Sequence, residues 1–134
     1  MFIIMNYRRR NHSKFLLLYH YIFVVKYRKP LLVRYGDWVK QTLRDIACKS
    51  DFQITQLEVD QDHVHLLIES PPKLSPLQIS RRLKQESTYQ IWKSYPELSK
   101  YFWKEKTFWS NGYFYCSIGN ASLATIKQYI ASQG

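Results

Sequence analysis

From Leu57 to Leu66 the chain alternates apolar and polar side chains on both sides of Gln61-Asp62. Successive strand residues point to opposite faces, so this pattern describes a half-buried β-hairpin. With Gln61 and Asp62 as a two-residue loop, Val59 pairs with Val64 and Leu57 with Leu66, keeping apolar opposite apolar. A one-residue slip would put Leu57 and Val59 among the histidines. In the favoured register Val64, Leu66 and Ile68 face a packed layer, while His63 and His65 project from the other side. Asp60 then faces His63 and Glu58 faces His65, and Leu67 shares the histidine face, a sign that something packs over that end.

A sheet with one apolar face needs helices to cover it. Phe15 to Tyr27, rich in Tyr, Phe, Val and Leu, reads as a long strand ended by Arg28-Lys29-Pro30. From Asp37 to Lys49, Val39, Leu43, Ile46 and Ala47 recur at helical spacing behind Asp37 as N-cap. Phe52 to Val59 and His63 to Glu69 are the hairpin strands. Ser75-Pro76-Leu77-Gln78 combines a capping serine, a proline at the first helical position and a glutamine that completes a capping box. That helix should run to about Tyr95, because Pro96 follows. After an aromatic, basic connection and the Asn111-Gly112 turn, Tyr113 to Ile118 predicts a strand, and Gly119-Asn120 opens a last helix through Gln133. The expected fold is α+β: a ferredoxin-like, RRM-like sandwich (β-α-β-β-α-β) with an extra C-terminal helix, one sheet face covered and one open.

A length of 134 residues fits a single domain, 1–134, with residues 1–12 as a loosely held basic arm. Lys and Arg number 20 against 10 Asp and Glu, so a polyanionic partner is expected. Positive charge mixed with 4 Trp, 11 Tyr and 7 Phe suits a single-stranded nucleic acid, though an aromatic core inside a basic surface accounts for the same composition. Cys48 and Cys116 have no Cys-x-x-Cys spacing, so neither a disulfide framework nor a cysteine zinc site is indicated, and a reducing cytoplasm fits. Met1 to Met5 is too short to span a bilayer, and Arg8-Arg9-Arg10 follows it where a signal peptide would carry its charge first. No membrane association is expected.

Two imidazoles side by side on one strand face could share a cation, and a neighbouring carboxylate could orient a tautomer or hold a metal-bound water. Glu58 and Asp60 are the candidates for that supporting role. Ordinary polar-face histidines remain the competing reading. His12 and His20 have no partner spacing; His12 is assigned to the arm and His20 to a strand face left open.

The run LEVDQDHVHLLIESPP, then LSPLQISRRLKQ, FWSNGYF and IKQYIASQG, resembles the small single-strand DNA transposases of bacterial and archaeal insertion sequences, the His-hydrophobic-His single-tyrosine class often called TnpA. YIFVVKYRKPLL is similar to that family's first strand and following turn, and the resemblance extends from about Tyr19 onward. It implies that His63 and His65 are the metal-binding pair, that Tyr129 is the nucleophile, and that Gln133 completes the metal site. It further implies Mg²⁺, with Mn²⁺ able to substitute. The family cuts one strand beside a hairpin at an element end, keeps a 5′-phosphotyrosine, and passes that end to a 3′-hydroxyl. Its members work as homodimers in which the tyrosine helix of one subunit completes the other's metal site. Several relatives continue beyond the glutamine, whereas this sequence stops at Gly134, so a less firmly docked tyrosine helix is expected.

The residues themselves are compatible with that chemistry. Tyr129 and Gln133 are four apart and share a helix face. A phenol with a pKa near 10 is protonated at rest, so something must take or offset its proton. A metal here would act on the scissile phosphate as Lewis acid and template. Imidazoles suit Mn²⁺, Co²⁺ or Zn²⁺, while amide and phosphate oxygens suit Mg²⁺ or Mn²⁺.

Three basic clusters are candidates for phosphate contact: Arg81, Arg82 and Lys84 with Lys73 before them; Lys26, Arg28 and Lys29; and Lys100, Lys104 and Lys106. The helix cluster is assigned to phosphate, whereas any single lysine is as well explained as solvated surface. Trp103, Phe108, Trp109, Tyr113 and Tyr115 could stack on bases, with core packing preferred for Trp109 and Phe114. Two alternatives stand beside the transposase reading: a domesticated relative processing repeated extragenic palindromes, and a non-catalytic RRM-like binder of single-stranded nucleic acid.

Overall fold

Tyr, Phe, Ile and Val dominate the strand β1, Leu17–Val24, and put it at the centre of a four-stranded sheet. The computed structural model describes residues 17–102, 105–112, 114–117, 128 and 130–132. Helix α1, Leu32–Cys48, leads to β2, Gln53–Val59, and β3, His63–Ser70. Helix α2, Pro76–Ser94, then precedes β4, Phe114–Ser117. All pairings are antiparallel, in the order β2-β3-β1-β4, which is the ferredoxin-like arrangement expected from the order of elements. Gln128 and Ile130–Ser132 are helical; the expected basic arm, and Tyr129 and Gln133 of the expected last helix, lie outside the described residues.

Both helices pack on one sheet face. Val39, Leu43 and Ile46 of α1 and Ile79, Leu83 and Ile91 of α2 form one core with Tyr21, Phe23, Val64, Leu66 and Ile68. The hairpin register is the expected one: Leu57 opposite Leu66, Glu58 opposite His65, Val59 opposite Val64. The irregularity lies at the other end, where a shift between Ile54 and Gln56 marks a bulge.

Two boundaries depart from the sequence reading. Helix α1 begins a turn and more before Asp37, which lies inside it. Leu32, Tyr35 and Gly36 are all buried on its inner side, and a Cβ at Gly36 would meet Val59 Cγ1 at 3.0 Å. Gly36 is thus a point where helix and hairpin approach closely. At the end of β1, Val25 forms an isolated bridge with Trp109, and Lys26–Arg28 turn through a 3-10 segment in which Tyr27 and Arg28 have positive φ of 60° and 51°. By contrast, α2 starts as expected: Ser75 accepts from Gln78 N, and Gln78 Oε1 accepts from Ser75 N.

The second sheet face is only partly open. Ile22 and Val24 lie on it, opposite His65 and His63 respectively, yet neither has any solvent exposure. The histidines therefore border an apolar floor that sequence alternation alone did not reveal.

Candidate metal centre and nucleic-acid surface

β3 carries His63 and His65 on the same face, and their Nε2 atoms stand 3.1 Å apart. His63 Nδ1 lies 2.9 Å from an Asp62 carboxylate oxygen. A carboxylate can only accept, so in this contact His63 Nδ1 is the donor and its Nε2 bears the lone pair in the neutral ring. Carboxylate-oriented imidazole is the usual support of a metal ligand. Asp62 is the group that sequence reasoning missed. It was placed in the loop, yet its position one residue before the histidine lets its short side chain reach back to the ring.

The two carboxylates that were expected in that role stand differently. Asp60 approaches His63 Nε2 at 3.9 Å, while its N–H donates to His63 O across the hairpin end. Glu58 is the cross-strand neighbour of His65 and acts on it through charge. Burial pushes the His65 pKa down, and the neighbouring His63 and His20 push it further, against the pull of Glu58 and Asp60. Burial lowers His20 as well. Neutral imidazoles are what a cation needs from these rings.

Two imidazole nitrogens this close could both serve one divalent ion. Among the described residues, no group of three or more His, Cys, Asp or Glu side chains gathers to hold a metal. The remaining ligand expected from the chain, Gln133, lies outside the described residues, as does the expected nucleophile Tyr129.

The basic residues of the three clusters have distinct partners. Arg82 turns toward α1: its Nε donates to Glu86 at 2.7 Å, and its Nη2 lies 3.5 Å from Lys49 O. Lys84 reaches into the protein, donating to Ser110 O and Gly112 O, with its Nζ 5.3 Å from the centre of the Phe23 ring. Burial lowers its pKa to about 8. Its ammonium fastens the loop before β4 and is not presented as a free surface charge. Lys26 pairs with Glu105 at 3.0 Å, and Arg28 lies 4.0 Å from Asp62, while Lys29 is half-buried. Lys73 pairs with Asp51 at 3.1 Å.

Arg81 and Lys84 both line a groove of about 1000 Å³ between α2 and residues 106–111. Lys93 and Lys106 add charge there, and Tyr89, which is 63% exposed, adds a ring. Trp109 is buried, as expected, with its Nε1 donating to Ser87 Oγ at 2.8 Å. Phe108 is fully buried and cannot stack on a base from outside. Tyr115 is exposed at the sheet edge against Tyr19 and Tyr21. Trp103, Lys104 and Tyr113 lie outside the described residues. No helix among the described residues is long and apolar enough to cross a membrane.

Residues 13–133 match the sequence profile of a family described as "Transposase IS200 like". The chain is 35% identical over 118 residues to the ISDra2 transposase TnpA of Deinococcus radiodurans, covering 87% of this chain and 84% of that one. It is 30% identical over 125 residues to the transposase of insertion sequence element IS200 from Salmonella typhimurium, covering 91% and 80%. A crystal structure of a candidate transposase from Deinococcus radiodurans R1 superposes with a TM-score of 0.81 at 32% identity, over 89% of this chain and 92% of that one. A REP-associated tyrosine transposase bound to a REP hairpin shares the fold, with a TM-score of 0.56 at 14% identity, over 85% and 62%.

Proposed function

The chain belongs to the IS200-like transposase family, and from that premise we propose that it cleaves and rejoins single-stranded DNA at hairpin-bearing element ends through a 5′-phosphotyrosine. The observation that carries this reading is the pair of Nε2 atoms 3.1 Å apart, with His63 oriented by Asp62. A sheet face built for an RRM-type binder would display aromatic rings on its central strands. Here β1 and β3 carry His20, His63 and His65 on that face instead.

In this reading His63, His65 and Gln133 hold Mg²⁺, or Mn²⁺ in its place. The bound ion supplies Lewis-acid stabilisation of the charge that develops on the scissile phosphate. The Tyr129 phenol oxygen attacks phosphorus, a P–O bond to tyrosine forms, and the bond to the 3′-oxygen breaks. The phenol proton is lost and the departing 3′-oxygen gains one, so the strand leaves as a 3′-hydroxyl. Rejoining runs the same exchange backward with a different 3′-hydroxyl, and the aryl ester keeps the linkage reactive. Asp62 keeps the His63 Nε2 lone pair available throughout. Ile22 and Val24 exclude water from the strand behind the imidazoles.

The homodimer, with Tyr129 of one subunit serving the histidines of the other, is part of the same proposal. The α2 groove with Arg81, Lys93 and Lys106 is the surface suited to the DNA backbone. The experiment is incubation with Mg²⁺ and a labelled single-stranded hairpin oligonucleotide from the element's own end. A covalent protein–DNA adduct should form with the wild type and disappear in Tyr129→Phe. An adduct retained by Tyr129→Phe would assign the nucleophile elsewhere.

A further inference from the structure

His20 stands on β1 opposite Leu67, on the same sheet face as the metal-binding pair. Its ring centre is 5.7 Å from that of His65, with the planes tilted by 38°. Among the described residues no hydrogen bond or ion pair engages the His20 ring. Beside it opens a pocket of about 240 Å³, bordered by His20, His65, Gln56, Glu58 and Leu67. The register explains how these five meet. Gln56 and Glu58 are two apart on β2 and face Leu67 and His65, while His20 closes the pocket from β1. Leu67 thus forms an apolar floor between polar walls, which accounts for a leucine on a face otherwise given to histidines.

We propose that this pocket seats the nucleoside next to the scissile phosphate, selecting a base that carries an exocyclic amine. The proposal rests on the strand-cleavage reading above and adds a protein contact to a base beside the cut. The volume is below that of a drug-sized site and suits one base rather than a run of them. A planar ring beside an apolar floor favours a heteroaromatic ligand, since stacking tolerates any base. The Glu58 carboxylate disfavours a phosphate in the pocket itself. As an acceptor it prefers cytosine N4 or adenine N6, and the Gln56 amide can pair with the same edges. Thymine offers an oxygen there and would meet the carboxylate unfavourably. Because His65 is shared between pocket and metal pair, a base seated here leaves its own phosphate beside the two Nε2 atoms.

The test uses oligonucleotides that differ only at the two positions flanking the cleaved phosphate, carrying cytosine, thymine or no base. With the wild type, removing the base at one of these positions should slow adduct formation about tenfold. In His20→Ala, intact and abasic strands should react alike, while Mn²⁺ binding stays at the wild-type level. Glu58→Gln should narrow the cytosine-over-thymine preference. Unchanged abasic discrimination in His20→Ala would overturn the proposal. A second readout is independent of cleavage: 2-aminopurine at the flanking position should be quenched on binding to the wild type but not to His20→Ala. If no adduct forms with any strand, the transferase reading fails, and equal quenching by both proteins would end the pocket assignment separately.

Discussion

Asp62 Oδ1 and His63 Nδ1 lie 2.9 Å apart at the tip of the β2–β3 hairpin, and this contact fixes which nitrogen of His63 faces its neighbour. Replacing Asp62 by Asn keeps the shape of the loop but lets the ring choose either tautomer. Loss of such outer support costs metal sites about 10- to 100-fold in affinity. We therefore expect Asp62→Asn to weaken Mn²⁺ binding by that factor, measured by calorimetry, with a near-normal melting temperature.

Lys84 gives a stability signature with pH. Its pKa is lowered from 10.5 to about 8 by burial, so between those values the unfolded chain binds the extra proton. Stability therefore rises with pH across that window, and the cost of burying the charge is fully present below about pH 8. Relative to Lys84→Met, the wild type should gain at most about 3 kcal/mol from pH 8 to 10.5. Chemical denaturation of both proteins at a series of pH values checks this. A constant difference would show that the ammonium is not desolvated.

DNA binding should separate the cations of the groove by position. Arg81, Lys84, Lys93 and Lys106 all line the groove, but the Lys84 ammonium is held by the carbonyls of Ser110 and Gly112. For a single strand with six phosphate contacts, the log–log salt slope is about −4. Arg81→Gln or Lys106→Gln should flatten it by about 0.7 each. Lys84→Gln should leave the slope unchanged while lowering thermal stability.

The α2 cap makes a simpler prediction. Ser75 and Gln78 exchange hydrogen bonds in both directions at the helix start. Ser75→Ala should cost about 1 kcal/mol of folding free energy, read from urea denaturation.

Patterning carried most of the fold. The β2–β3 register was legible because one apolar face admits only one alignment, and the α2 start because its cap is a local motif. The early start of α1 was not, since Gly36 is tolerated there for a tertiary reason: a Cβ would stand 3.0 Å from Val59 Cγ1. The same limit governs the site. His63 and His65 could be placed on one face by counting, but the orienting role of Asp62 depends on how a loop side chain folds back. Alternation also did not reveal that Ile22 and Val24 are buried on the histidine face, since their covering depends on tertiary packing. Arg81 and Lys84, three apart on α2, share the face that lines the groove, while Arg82 turns toward the end of α1. That the loop before β4 holds the Lys84 ammonium depends on tertiary packing and was not legible.

The central claim is that the two imidazoles of β3 hold the divalent ion on which strand cleavage depends. The most direct measurement is calorimetric titration of Mn²⁺ into the wild type and into His65→Ala, each checked for native folding. The account predicts saturable binding at one site per protomer in the wild type and its loss in the variant, together with loss of the covalent DNA adduct. Equal binding by both proteins, or an adduct formed by the wild type in excess chelator, would contradict it.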